Sequence, residues 1–311
     1  MVLFAARCCA ADVSLSCQPS ESVMTSYQTP ARSSEAGVDV FGLSHKGLVR
    51  ENNQDHFLVV RAARTLQTLF TNLTETQPGE AFEEAGYGLV VADGVGGEAA
   101  GEFASRRAIY TLLKLALHTS DWQFRWGAKE RNNVLWRMKD RFRSVNEAMV
   151  RDAAAHASLN GMCTTMTAAV TYGNDAIIGH IGDSSAYLLH RGKLIRLTRD
   201  HTLGGRLVEE GTHAANDPLV LEYRSLLLQA LGSREGECHP DVHNYLLQDS
   251  DQLLLCTNGL TDMVQEADIE SAMNSATSAS FACRSLIDLA LGNGGADNVT
   301  VIVARYSIRG N

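Results

Sequence analysis

The 311-residue chain has little proline (5 residues), and aromatic side chains make up only 6% of it. Charged residues are held to 20%, against 45% hydrophobic. That balance argues against extensive disorder and allows a full core, as one large domain or two small ones. Positive charge is not in excess: 27 Lys and Arg stand against 36 Asp and Glu, for a net charge of −9. Nucleic acid and anionic membrane surfaces are therefore poor partners. No apolar run approaches the ~18–20 residues of a membrane span. Paired cysteine spacing is missing as well. Cys8, Cys9, Cys17, Cys163, Cys238, Cys256 and Cys283 are odd in number and include no CxxC, so they describe neither a disulfide framework nor a zinc site. This usage points to the cytoplasm. The opening segment has no basic cluster, and Arg7 interrupts its apolar residues, so it does not read as a signal peptide. Residues 1–35 are expected to be a disordered tail, with Met24 an alternative start.

What is present centres on residues 89–105, LVVADGVGGEAAGEFAS. An apolar strand ends in Asp93 and runs through Gly94-Val95-Gly96-Gly97 into a segment of helical composition. The glycines let backbone groups come close to whatever the Asp93 oxygens hold, and hard cations such as Mg²⁺ and Mn²⁺ want such oxygens. Taken alone, the stretch reads equally well as a strand-to-helix turn whose Asp caps the helix.

In chain order, two paired strands are expected on either side of a turn bearing Arg50, Gln54 and Asp55. An arginine fork can hold phosphate and an Asp can face a cation, although a surface ion pair explains the same residues. Residues 61–86 read as a long hairpin connection, followed by the strand at 87–92. Helices are expected at 103–117 and 134–155, with Trp122, Trp126 and Trp136 in helix packing. Residues 165–197 read as a four-stranded meander, with Asp183 in a Gly-Asp-Ser break. Residues 199–247 are less regular and suggest a flap whose histidines lack ligand spacing. The apolar run at 252–257, with Cys256 as a core residue, stops at Asn258-Gly259 ahead of Asp262. A helix at 278–291 leads to Asp297, directly before a last alternating strand. Three strand edges thus carry an oxygen-bearing residue beside glycine, and their convergence would form a pocket for two divalent ions.

This ordered set of motifs resembles the metal-dependent PPM-type serine/threonine protein phosphatases, the bacterial members above all. The set comprises Arg50 with Asp55, DGVGG, residues 161–165, GDSSAY, Asn258-Gly259-Leu260 and Asp297-Asn298. It covers about residues 38–305. The resemblance implies an α+β fold: an α/β/β/α sandwich of two antiparallel sheets flanked by helices, with the metal site in the cleft at the sheet edges. It implies one phosphatase domain over 36–307, with 199–247 as its flap. Asp93 resembles the carboxylate bridging two Mn²⁺ or Mg²⁺ ions, with the Gly94 carbonyl as a further ligand and Asp297 as a ligand of the first ion. Arg50 matches the phosphate-holding arginine, and Asp55 an acid that holds metal-bound water. Asp183 and Asp262 resemble ligands of a weaker third ion. The implied reaction is hydrolysis of phosphoserine and phosphothreonine by a metal-activated water in a single in-line step. No Ser or Cys nucleophile is needed, so Cys163 and Thr164 read as packing residues. Phosphoproteins are the implied substrates, with a serine/threonine kinase as the default partner.

Four positions depart from the pattern. Asn258 stands where the family usually has an aspartate ligand, and Gln54 where many members have glutamate. Val95 replaces a histidine general acid of eukaryotic members, and Ser185 a frequent arginine. The two amides each remove a negative charge, at ~1–3 kcal/mol in metal affinity. They leave a second reading open, a pseudophosphatase that binds a phosphoprotein or kinase without turnover.

Overall fold

The computed structural model describes residues 37–66, 82–96, 98–118, 128–233 and 238–308. The expected N-terminal tail, Trp122 and Trp126 lie outside them, as does the middle of the 61–86 connection.

Two antiparallel sheets stack face to face. The first has the order β1 (Gly37–His45), β11 (Val299–Ser307), β10 (Gln252–Cys256), β7 (Ser185–His190), β8 (Lys193–Arg196). The second has the order β2 (Asp55–Leu66), β3 (Phe82–Val95), β5 (Met166–Tyr172), β6 (Asp175–Ile181), β9 (Asp241–Leu246), with the short β4 (Cys163–Thr164) on the end of β3. Helices α1 (Glu98–Leu117) and α2 (Ala128–Ala155) cover the second sheet. The first is covered by α5 (Asn258–Thr261), α6 (Glu266–Ser275) and α7 (Ala279–Gly292). The short α3 (Leu203–Glu209) and α4 (Pro218–Glu222) lie between β8 and β9.

Side-chain alternation along the strands builds three apolar layers. In β10, Leu253 and Leu255 face the opposite sheet, while Leu254 and Cys256 face the helices. In β11, Val299, Val301 and Val303 join the helix layer, while Ile302, Ala304 and Tyr306 join the layer between sheets. Burial on both faces is why these strands read as continuous apolar runs. On α2, Met138, Phe142, Val145 and Met149 recur at helical spacing and are buried against the second sheet. Gly179 of β6 admits them, since a Cβ there would come within 2.9 Å of the Phe142 ring. Truncating Phe142 to Ala would cost ~3–5 kcal/mol.

Several expectations need correction. β1 and β2 do not pair: β1 pairs with β11 and β2 with β3, so the 46–54 loop crosses from one sheet to the other. The 165–197 meander is split the same way, with β5 and β6 in one sheet and β7 and β8 in the other, and the crossing falls at Gly182-Asp183-Ser184. β2 and β3 run on to Leu66 and back to Phe82, well into the expected loop. The flap-like stretch ends before β9, whose half-polar sequence DVHNYL hides an edge strand of the second sheet. Helix α1 starts five residues earlier than expected, straight after the glycine turn. Trp136 is 62% exposed, so it takes no packing role.

Candidate metal and phosphate site

The strand directions bring every candidate residue to one end of the sandwich. There β1, β3, β6 and β10 finish while β2, β5, β7 and β11 begin. Asp55 and Asp93 are direct cross-strand partners on β2 and β3. Like charges in that relation repel, and among the described residues no Lys or Arg forms an ion pair with either. Across the cleft, the Thr257 and Thr300 hydroxyls both donate to Asp55 Oδ2, at 2.7 and 2.8 Å. These two bonds tie the sheets together at the site.

The Asp93 backbone is gripped as firmly. Its N–H donates to Thr165 Oγ1 at 3.1 Å, and its carbonyl accepts from Thr165 N at 2.9 Å and Thr164 Oγ1 at 2.7 Å. Thr164, buried as expected of a packing residue, is thus also a positioning group. Gly94 sits so close to α1 that a Cβ would fall 2.0 Å from the Gly101 carbonyl oxygen. The Gln54 side chain lies over the same Gly101, and the Gln54 carbonyl accepts from the Ser105 hydroxyl at 2.5 Å.

The 46–54 loop is fixed by Asn298. Its Oδ1 accepts from Gln54 N at 2.8 Å, and its Nδ2 donates to the carbonyls of Lys46 and Asn52 at 2.8 Å each. Gly47 has φ +81°, and a Cβ there would strike the Asp297 carbonyl. This holds Arg50 at the cleft, where Nη2 donates to Asp297 Oδ2 at 2.8 Å. The guanidinium stays 55% exposed, leaving donors for an arriving anion. Asp183 stands at the sheet crossing and accepts from Asn258 Nδ2 at 3.1 Å. Asp262 pairs with Arg224 at 3.5 Å.

Burial, and then neighbouring acids, raise the carboxyls. Asp55 is pushed to about 6 by burial and by Asp297, against the pull of Thr257 and Thr300. Asp93 is raised well above the usual range by burial and then by Asp55, Asp183 and Asp297. Asp183 rises to about 7 through burial, with Asp200 and Asp262 adding to it. A cluster so loaded with negative charge invites cations. Three buried oxygens, Asp55 Oδ1, Asp183 Oδ1 and Asn258 Oδ1, have no hydrogen-bond partner. Among the described residues no three His, Cys, Asp or Glu are arranged to hold a metal ion by themselves. The donor set is mixed: opposed carboxylates, the Asn258 amide oxygen and the Gly94 carbonyl. Hard oxygens of this kind fit Mg²⁺ or Mn²⁺.

Thr257, Thr300, Thr165 and the clamp role of Asn298 escaped sequence reasoning. Their signal was adjacency: each stands within three residues of Asn258, Asp297 or the end of β4.

A family model described as protein phosphatase 2C matches residues 80–287. The serine/threonine phosphatase stp of Listeria welshimeri is 33% identical over 220 residues, 71% of this chain and 84% of that protein. The serine/threonine protein phosphatase PstP of Mycobacterium tuberculosis is 35% identical over 261 residues, 84% of this chain and 43% of that one. A crystal structure of the PstP catalytic domain in complex with two manganese ions superposes with a TM-score of 0.67 at 31% identity, covering 88% of this chain and all of that one.

Proposed function

The chain belongs to the protein phosphatase 2C family, and from that premise we propose that it is a Mn²⁺/Mg²⁺-dependent protein serine/threonine phosphatase. Residues 36–307 form its phosphatase domain. The observation that carries the reading is the opposed Asp55–Asp93 pair, without an ion-pair cation among the described residues, together with the unpartnered buried oxygens of Asp55, Asp183 and Asn258. Asp93, the Gly94 carbonyl, Asp297 and Asn258 Oδ1 would hold two cations, with Asp55 and Gln54 on the side of the second. When bound, the ions lower the pKa of a water and withdraw charge from the phosphate.

The chain's own groups do the rest. Arg50 offers its free N–H donors to the phosphate oxygens and neutralises charge that grows as the water attacks. Asp55, its Oδ2 fixed by two threonines, turns the free Oδ1 to accept a hydrogen bond from that water and so orients it. The new P–O bond forms in line with the bond that breaks to the serine or threonine oxygen. Val95, 38% exposed beside Gly94, supplies no proton, so the leaving oxygen takes one from solvent.

Phosphoproteins are the substrate class, and a serine/threonine kinase with its targets is the counterpart in the cell. The cytoplasm suits both, and among the described residues no helix is long and apolar enough to cross a membrane. The test is phosphate release from phosphoserine, phosphothreonine and phosphotyrosine peptides in Mn²⁺. Release from the first two, stopped by a chelator, is expected. No chelator-sensitive release from any of them would overturn the reading.

A further inference from the structure

We propose that Asn258 and Arg224 stand in for a third cation in this chain, so that the segment bearing α3 and α4 is tied to the cleft without a metal. The inference rests on the two-cation reading above and concerns the Asp183 and Asp262 side of the cleft. These carboxylates line, with Asn258 and Arg224, a cavity of about 470 Å³ next to that segment.

Asn258 Nδ2 donates to Asp183 Oδ2 at 3.1 Å. The amide thus turns its NH₂ toward the Asp183 carboxylate oxygen and its own oxygen away. That oxygen is buried and unpartnered, which leaves it for one of the two catalytic cations. An aspartate at position 258 has no N–H to give. Two carboxylates facing each other here would need a cation between them. The amide replaces that cation with a hydrogen bond. The loss of an acid at 258, which at first weighs against the metal site, is thereby accounted for as an exchange.

Asp262 is covered by a full charge, with Arg224 Nη1 3.5 Å from its Oδ1. Arg224 is held there by the close approach of α3. A Cβ on Gly204 would come to 3.0 Å from the Arg224 Cα, Gly204 N donates to the Tyr223 carbonyl at 3.0 Å, and Leu203 N to the Leu226 carbonyl at 2.9 Å. The cavity's other charges are paired as well, Arg196 with Asp200 and Arg199 with Glu209. Among the cavity's buried carboxylate oxygens, the one without a hydrogen-bond partner is Asp183 Oδ1. Mg²⁺ seeks an octahedral shell, and an anchoring oxygen whose neighbouring acids, Asp200 and Asp262, already face Arg196 and Arg224 holds an ion poorly.

The experiment counts ions. Crystals of the wild type and of the Asn258→Asp/Arg224→Ala double variant are soaked in Mn²⁺, and anomalous scattering locates the metal. Two ions are expected in the wild type, and a third, beside Asp183, in the variant. A third ion in the wild type overturns the inference, as does a variant that holds two and gains none. A wild type with no ion pair at all defeats the two-cation reading itself, which separates the two failures. In solution, hydrogen exchange over residues 203–222 should be unchanged by Mn²⁺ in the wild type. Should the double variant fail to fold, that measurement decides alone, and protection that rises with Mn²⁺ overturns the inference.

Discussion

The two sides of the cleft are both rich in acid, yet they balance it by opposite means. On the β2–β3 side, Asp55 and Asp93 face each other with the Thr257 and Thr300 hydroxyls on Asp55 and, among the described residues, no cation paired with either. On the flap side, Asp262 has Arg224, Asp200 has Arg196, and Asp183 has the Asn258 amide. A buried charge needs a partner or loses its charge. The first side is therefore built to be completed from outside, and the second is largely completed by the chain. What separates the two sides is whether the chain supplies the counter-charge.

Breaking the uncompensated side should do the most damage. Asp93→Ala removes the carboxylate that, on the proposed reading, would be shared by the two ions, and kcat is expected to fall ~10²–10³-fold. Steady-state kinetics at saturating Mn²⁺ checks this, and a loss below tenfold would remove Asp93 from the centre of the site. Arg50→Lys keeps the charge but gives up the planar fork. With charged hydrogen bonds worth ~1.5–3 kcal/mol, kcat/KM should drop about 10- to 100-fold. An unchanged value would mean that the pair with Asp297 is its whole role.

The pH dependence sharpens the contrast next. In the metal-free protein Asp55 is raised from 3.8 to about 6. The folded state then binds the proton more tightly than the unfolded chain does. Its stabilising contribution is complete below the ordinary carboxylate pKa and is lost as pH climbs through about 6. Added Mn²⁺ takes the proton's place, so the rise in melting temperature on adding Mn²⁺ should grow between about pH 4 and pH 7. A constant rise across that window would contradict the assignment. The smallest effect is expected at Arg224. Its pair with Asp262 is half exposed, and Arg224→Ala should cost no more than ~1 kcal/mol in a denaturant melt.

The strands at the centre of each sheet and the helices over them were legible in the sequence because their signals are local. β10, β11, α1, α2 and α7 carry clear periodicity, and Asp93, Asp297 and Arg50 stand in recognisable motifs. What could not be read was non-local. β1 and β2 are neighbours in sequence but belong to different sheets, because each finds its partner far along the chain in β11 or across a long connection in β3. β9, an edge strand, and α6, a polar helix that buries only Ile269, Ala272 and Met273, lack the apolar density that marks an element. The same limit applied to Asn258. As a letter it was a missing acid; only the structure shows its amide turned to Asp183 and its oxygen left free.

The most direct measurement is phosphate release from a phosphothreonine peptide as Mn²⁺ is titrated into metal-stripped protein. The account predicts negligible release without metal, a saturable rise with Mn²⁺, and complete arrest by EDTA that excess Mn²⁺ reverses. Turnover that is indifferent to Mn²⁺ and EDTA, or none at any Mn²⁺ concentration, would contradict it.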